Sequence, residues 1–197
     1  APPAGGNATR QPASGTFRPG PLDAIGVGRG DVLWYAPGRA GDVLWLGTGS
    51  GGFTPKPFVI DGVFDDVVAL DVDGNGRDDL LWYSRGSGLT VLWRSNGNGT
   101  FTSSRLSPGA GKRPTVGNYD GKGGDEIFWY GPGAARDRIW RGGQGGDFTS
   151  VAATAGGNAN VWPVAGDFDG NGRADILFAE GGRLSTLRRH TDSGYTN

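Results

Sequence analysis

The sequence predicts an all-β protein built from four similar units, and three observations carry that prediction. First, three residue series share one period. Trp34, Trp82, Trp129 and Phe178 recur at steps of 48, 47 and 49. Trp45, Trp93, Trp140 and Leu187 recur at 48, 47 and 47, as do Phe53, Phe101, Phe148 and Tyr195. A period of this size marks an array of supersecondary units. Second, the apolar runs are short, β-branched and aromatic, and bounded by Gly, Pro, Asn and Asp, which is how strands read. Third, no stretch shows the helical periodicity a crossover helix needs. Four strands per unit describe a propeller blade, so the expected fold is a four-bladed β-propeller.

Each unit has the same order of parts. A short apolar run, such as Val67-Val68-Ala69-Leu70, leads into a nine-residue Asp/Gly loop. Next comes Leu80-Leu81-Trp82-Tyr83, matched by Val32-Leu33-Trp34-Tyr35, Ile127-Phe128-Trp129-Tyr130 and Ile176-Leu177-Phe178-Ala179. After a Gly/Pro turn, a third run ends in the second tryptophan, as in Thr90-Val91-Leu92-Trp93. A more polar run closes the unit, as in Phe101 to Leu106. The whole chain, 1–197, reads as one domain with blades at about 17–61, 62–109, 110–157 and 158–197. Only Thr196 and Asn197 follow Tyr195, so the last blade is expected to borrow its fourth strand from residues 7–12. That pairing closes the ring and protects open sheet edges. A monomer follows; the alternatives are a fragment of a longer propeller or a dimer sharing a larger ring.

The loop between the first two strands carries the chemistry. Asp71-Val72-Asp73-Gly74-Asn75-Gly76-Arg77-Asp78-Asp79 recurs 96 residues later as Asp167-Phe168-Asp169-Gly170-Asn171-Gly172-Arg173-Ala174-Asp175. Calcium takes six to eight oxygen ligands, and alternate side chains of a tight loop converge on one point. Asp71, Asp73 and Asn75, the Arg77 carbonyl and Asp79 make one expected set. Asp167, Asp169, Asn171, the Arg173 carbonyl and Asp175 make the second. Position 12 is Trp82 or Phe178, where an EF-hand has glutamate, so these are β-loop sites. Two Ca2+ ions are expected, in blades two and four. The third copy reads Asn118, Asp120, Lys122 and Glu126, with the Lys122 ammonium expected in place of the ion, paired with Asp120 and Glu126. The first copy, Asp23, Ile25, Val27 and Asp31, has lost two oxygen ligands, so no ion is expected there.

Composition excludes several functions. Net charge is −1 with scattered Lys and Arg, which argues against nucleic acid. No apolar run reaches the ~20 residues of a membrane span. Without cysteine there is no disulfide framework and no thiol nucleophile. The single histidine, His190, excludes multi-histidine zinc sites and reads as an exposed side chain near the chain end. The acids outside the loops, Asp42, Asp61, Asp65, Asp66, Asp137, Asp147, Glu180 and Asp192, form no recognisable catalytic pair, so the chain is not expected to be an enzyme. The minor alternative is a calcium-dependent hydrolase or lyase.

The motif D-x-D-G-N-G-x-x-D followed by a hydrophobic strand, repeated through nearly the whole chain, resembles the FG-GAP/VCBS repeat. That family includes the integrin α-subunit propeller and Psathyrella velutina-type lectins. The resemblance implies structural calcium and a secreted or surface location; the start, Ala1-Pro2-Pro3-Ala4, suits a mature secreted chain. It also implies binding of carbohydrate or an extracellular protein. The expected function is therefore a secreted, calcium-stabilised, lectin-like recognition module, with a protein-docking or inhibitor module as the alternative. Trp34, Trp82 and Trp129 are expected to pack between blades, and Trp45, Trp93 and Trp140 lie before turns. Trp162 is off-register, takes the place of Arg18 or Arg113, and is the candidate ligand contact.

Overall fold

A computed structural model describes residues 11–13, 30–35, 41–133, 136–143, 147–153, 161–180, 183–191 and 194–196. Sixteen strands among these residues form four antiparallel sheets of four strands each. The first sheet contains β1 (Gln11–Ala13), β2 (Val32–Tyr35), β3 (Asp42–Gly47) and β4 (Phe53–Phe58). The second contains β5 (Asp66–Leu70), β6 (Asp79–Tyr83), β7 (Thr90–Ser95) and β8 (Phe101–Leu106). The third contains β9 (Arg113–Gly117), β10 (Glu126–Tyr130), β11 (Asp137–Gly142) and β12 (Phe148–Ala153). The fourth contains β13 (Val161–Gly166), β14 (Asp175–Glu180), β15 (Arg183–Thr191) and β16 (Gly194–Thr196). Within each sheet the strands lie side by side in chain order. The inner strands meet in sequence: β1 touches β5, β5 touches β9 and β9 touches β13.

The apolar series become the layers between sheets. Leu33, Tyr35 and Leu44 of the first sheet pack with Val67, Leu80 and Trp82 of the second. Val68, Leu81 and Tyr83 pack with Val116, Ile127 and Trp129. Phe128, Tyr130 and Ile139 pack with Val161, Ile176 and Phe178. Strands β6 and β10 are buried at every position, which explains their continuous apolar sequence: a strand covered on both faces has no polar side. The second and third aromatic series extend this packing across the first three sheets. Trp82 stands edge-on to Trp93 at 5.3 Å, and Trp93 meets Phe101 at 5.7 Å. Trp34–Trp45–Phe53 and Trp129–Trp140–Phe148 repeat the ladder. Such offset and edge contacts add roughly 0.5–1.5 kcal/mol each beyond burial. The six tryptophans are thus used in packing.

Two expectations are corrected. Gln11 and Pro12, expected in the last blade, pair with β2 instead, with Pro12 opposite Trp34. The last sheet has its own fourth strand, β16, paired with β15. Residues 7–10 and the Arg18-Pro19 pair lie outside the described residues. The physical reason is visible in the inner strands: Pro12, Pro114 and Pro163 stand opposite Trp34, Trp129 and Phe178. An inner edge strand leaves one row of N–H groups unpaired, and proline, lacking that N–H, fits there. Leu187 is also displaced by one residue from its expected register. Arg188, not Leu187, faces Ile176, because β15 bulges opposite Phe178 and Ala179.

Candidate functional site

The nine-residue loops join the inner strand of a sheet to its second strand. In the second sheet, the Asp71 carboxylate accepts the N–H groups of Asn75 at 3.0 Å and Gly76 at 2.8 Å. Asp73 also accepts from Asn75, at 3.2 Å, and the Asn75 side-chain oxygen accepts from Arg77 at 2.9 Å. Gly74 and Gly76 hold φ of 72° and 80°, a left-handed conformation in which a Cβ is strained. The fourth sheet repeats this mesh. Asp167 accepts from Asn171 at 3.0 Å and Gly172 at 2.8 Å, Asp169 from Asn171 at 3.2 Å, and Asn171 from Arg173 at 2.9 Å. The acids therefore turn inward on their own loop. One carboxylate oxygen from each of Asp167, Asp169 and Asp175 lies within 4.8 Å of the others, a group able to hold a metal ion. Among the described residues it is the one such triad.

The ninth position does more than close a shell. Asp79 is fully buried and takes the N–H of Val72 at 3.2 Å and that of Ser95, on β7, at 2.8 Å. Burial raises its pKa to about 7, opposed by the Ser95 hydrogen bond and reinforced by the charge of Asp73. Asp31 holds the same post in the first sheet, taking the Gly47 N–H at 2.9 Å. This acid ties the loop to the third strand of its sheet. Its role is visible where the loop has lost ion ligands, although Asp23, Ile25 and Val27 lie outside the described residues.

The third loop departs from expectation in one respect. Lys122 lies 3.8 Å from Asp120, yet its side chain is 80% exposed and makes no contact with Glu126 among the described residues. Arg141, from β11, supplies a second cation 3.8 Å from Asp120 and its charge also acts on Glu126. A long, strongly hydrated ammonium stays in water, while the guanidinium arrives from a packed strand. Glu126 accepts the N–H groups of Tyr119 at 2.6 Å and Asp120 at 3.1 Å. Burial, then the charge of Asp120, push its pKa up to about 7.

Trp162 is the second residue of β13, at the opposite end of the inner strand from the acidic loop. It is 49% exposed. The Arg113 guanidinium lies 4.2 Å from its ring centroid and that of Arg85 lies 5.1 Å away. One aromatic thus meets residues of the second, third and fourth sheets. Gln11, Asp66, Arg113 and Trp162 share one register position, so Gln11, not Arg18, is the first-sheet counterpart. Arg113 also donates to the Val161 carbonyl.

Four of the acids outside the loops accept backbone N–H groups: Asp65 takes that of Arg85 at 2.7 Å and Asp66 that of Val67 at 2.9 Å. Asp42 accepts the Ile60 N–H at 2.9 Å, and Asp137 accepts the Gly131 N–H at 2.8 Å. No sequence motif marks these bonds. Asp42 and Asp137 share a position at the start of the third strand, two periods apart, with Thr90 at the equivalent place between them.

The array of sheets with Asp/Gly loops at one end defines a propeller-type repeat protein. Residues 118–178 match the FG-GAP-like repeat. No curated protein matches the chain in sequence. A solved structure of an Agrocybe aegerita lectin, described for specific recognition of non-reducing terminal N-acetylglucosamine, aligns with a TM-score of 0.62 at 21% identity. The alignment covers 91% of this chain and 51% of that one. The present chain thus spans about half the length of that structure, and the likeness is one of fold.

Proposed function

We propose that the chain is an extracellular, calcium-stabilised recognition module for carbohydrate. The loops 71–79 and 167–175 are its calcium sites and the surface around Trp162 is its ligand contact. The observation that carries this reading is Trp162: a half-exposed indole beside two guanidinium groups, on the face away from the metal loops. An indole face suits the C–H face of a sugar ring, and Arg85 and Arg113 offer donors to its hydroxyl and amide oxygens. The lectin likeness supports the same class of ligand. The acids that a hydrolase would need are occupied in holding backbone N–H groups, so a non-enzymatic role fits better.

A glycan array, run with calcium and with chelator, tests this. Binding of a sugar by the parent chain and its loss in Trp162→Ala, with unchanged melting, is the expected result. A blank array with calcium present overturns it. A second reading, docking of an extracellular protein, draws on Val59 and Val63, which are exposed in the connection from β4 to β5. Capture of a partner that free sugar does not displace selects that reading.

A further inference from the structure

In the second and third loops, the second position is a plug between neighbouring sheets. Val72 is 2% exposed and Tyr119 is fully buried. Val72 lies on Gly142 of the third sheet, where a Cβ would stand 2.3 Å from the Val72 carbonyl oxygen. Tyr119 packs with Ala165 and Ala174 of the fourth sheet. A backbone bond accompanies each plug. The Asp125 N–H donates to the Asp71 carbonyl at 2.7 Å, and the Ala174 N–H donates to the Asn118 carbonyl at 2.7 Å. The rule is uniform: position 1 of one loop receives the N–H of position 8 in the next.

The fourth loop has the same internal mesh and no such cover. Phe168, the counterpart of Val72 and Tyr119, is 48% exposed. Among the described residues, no backbone N–H reaches the Asp167 carbonyl. Among the described residues, the inner-strand contacts run from β1 through β5 and β9 to β13. The repeat itself specifies what fits this face: another sheet of the same kind, with a small residue where Gly142 stands and an N–H where Asp125 and Ala174 stand. The first sheet has both, in Gly47 and Gly30. Gly47 occupies the Gly142 position, and Gly30 precedes Asp31 as Ala174 precedes Asp175.

We propose that the fourth sheet of one copy docks on the first sheet of a second copy, Phe168 against Gly47 and the Asp167 carbonyl on the Gly30 N–H. Used twice under twofold symmetry, this head-to-tail contact closes. The result is one ring of two chains, in keeping with four sheets that cover about half of a longer chain of the same fold.

Sedimentation equilibrium with calcium present tests the proposal. The parent chain should run at twice the mass of one chain and dissociate on dilution. Phe168→Glu should be monomeric, and so should Gly47→Arg on the receiving side, each with the parent circular dichroism. An equimolar mixture of the two variants retains one intact contact and should recover part of the dimer. A parent chain that stays monomeric at high concentration overturns the proposal. So does a dimer that survives both substitutions, or growth into open polymers.

Discussion

The loops Asp71–Asp79 and Asp167–Asp175 carry the same acids and asparagine at matching positions and share a mesh of internal hydrogen bonds, yet they sit in different surroundings. In the first, Asp71 is buried, its N–H donates to the Asp125 carboxylate at 2.9 Å, and Val72 is sealed by Gly142. In the second, Asp167 and Asp169 are exposed and Phe168 faces outward. The nine residues therefore determine the conformation of the loop, and the following sheet determines its dielectric surroundings. Loop conformation and loop burial are separable, and each can be perturbed alone.

The largest effect should come from breaking the cover of the second-sheet loop. Gly142→Ala places a methyl group 2.3 Å from a backbone oxygen and 2.7 Å from Val72 Cγ2. Backbone cannot yield as a flexible side chain does, so a loss of about 3 kcal/mol is expected. Phe168→Ala, at the equivalent plug of the uncovered loop, should cost under about 0.5 kcal/mol at concentrations where the chain is single. Urea midpoints of the two variants measure the contrast.

Calcium comes next. At 100 times its dissociation constant, one ion stabilises the fold by about 2.7 kcal/mol, or roughly 5–10 °C in melting temperature for a chain of this size. Asp73→Ala and Asp169→Ala should each remove one site and a share of that shift. The fourth-sheet site is open to solvent, so salt should weaken it more than its buried counterpart. Calorimetric titration at two ionic strengths separates them. Two sites of equal salt dependence would mean that burial does not matter to the ion.

The sequence made the loops, strands and aromatic ladders legible, because each depends on residues within one period. The tryptophan steps fixed which strands pack, and glycine at φ of 72° and 80° fixed the loop shape. What stayed hidden depends on neighbours. Nothing in Asp125 announces that it will lock the preceding loop, and nothing in Gly142 announces that it must admit Val72. Pro12 and Pro19 fit an inner edge equally well by sequence, and only the pairing with Trp34 decides between them. Trp162 was recognisable as out of register, but its contacts with Arg85 and Arg113 come from two other sheets.

The pH dependence sharpens the same contrast. The carboxyl groups of Asp79 and Glu126 titrate near 7 in the folded chain and near 4 when unfolded. Between these values the folded chain binds more protons than the unfolded one, so stability falls as pH rises from about 4 to 7 and then levels off. Metal-free protein should melt several degrees lower at pH 7.5 than at pH 5. Saturating calcium should remove the part due to Asp79, whose charge the ion offsets, and leave that of Glu126. Melting curves across this range, with and without calcium, read the two parts. A metal-free chain that gains stability on going from pH 5 to 7.5 would contradict the burial assigned to both acids.

The smallest effect is expected in the third loop. Lys122→Asn restores the side chain that the intact loops have at position 5, and sequence alone would therefore predict a third calcium site. The structure argues otherwise. Lys122 is exposed and its ion pair with Asp120 is long, so its loss should change stability by less than about 0.5 kcal/mol. Arg141 remains beside Asp120 and acts on Glu126, and Asn118 supplies an amide where the intact loops have a carboxylate. Calorimetry should still count two ions in Lys122→Asn. Adding Arg141→Leu and Asn118→Asp should raise the count to three, because only then does the loop present three carboxylates with no competing cation. A third ion in the single variant would show that the lysine, and not the guanidinium from the neighbouring strand, replaces calcium there.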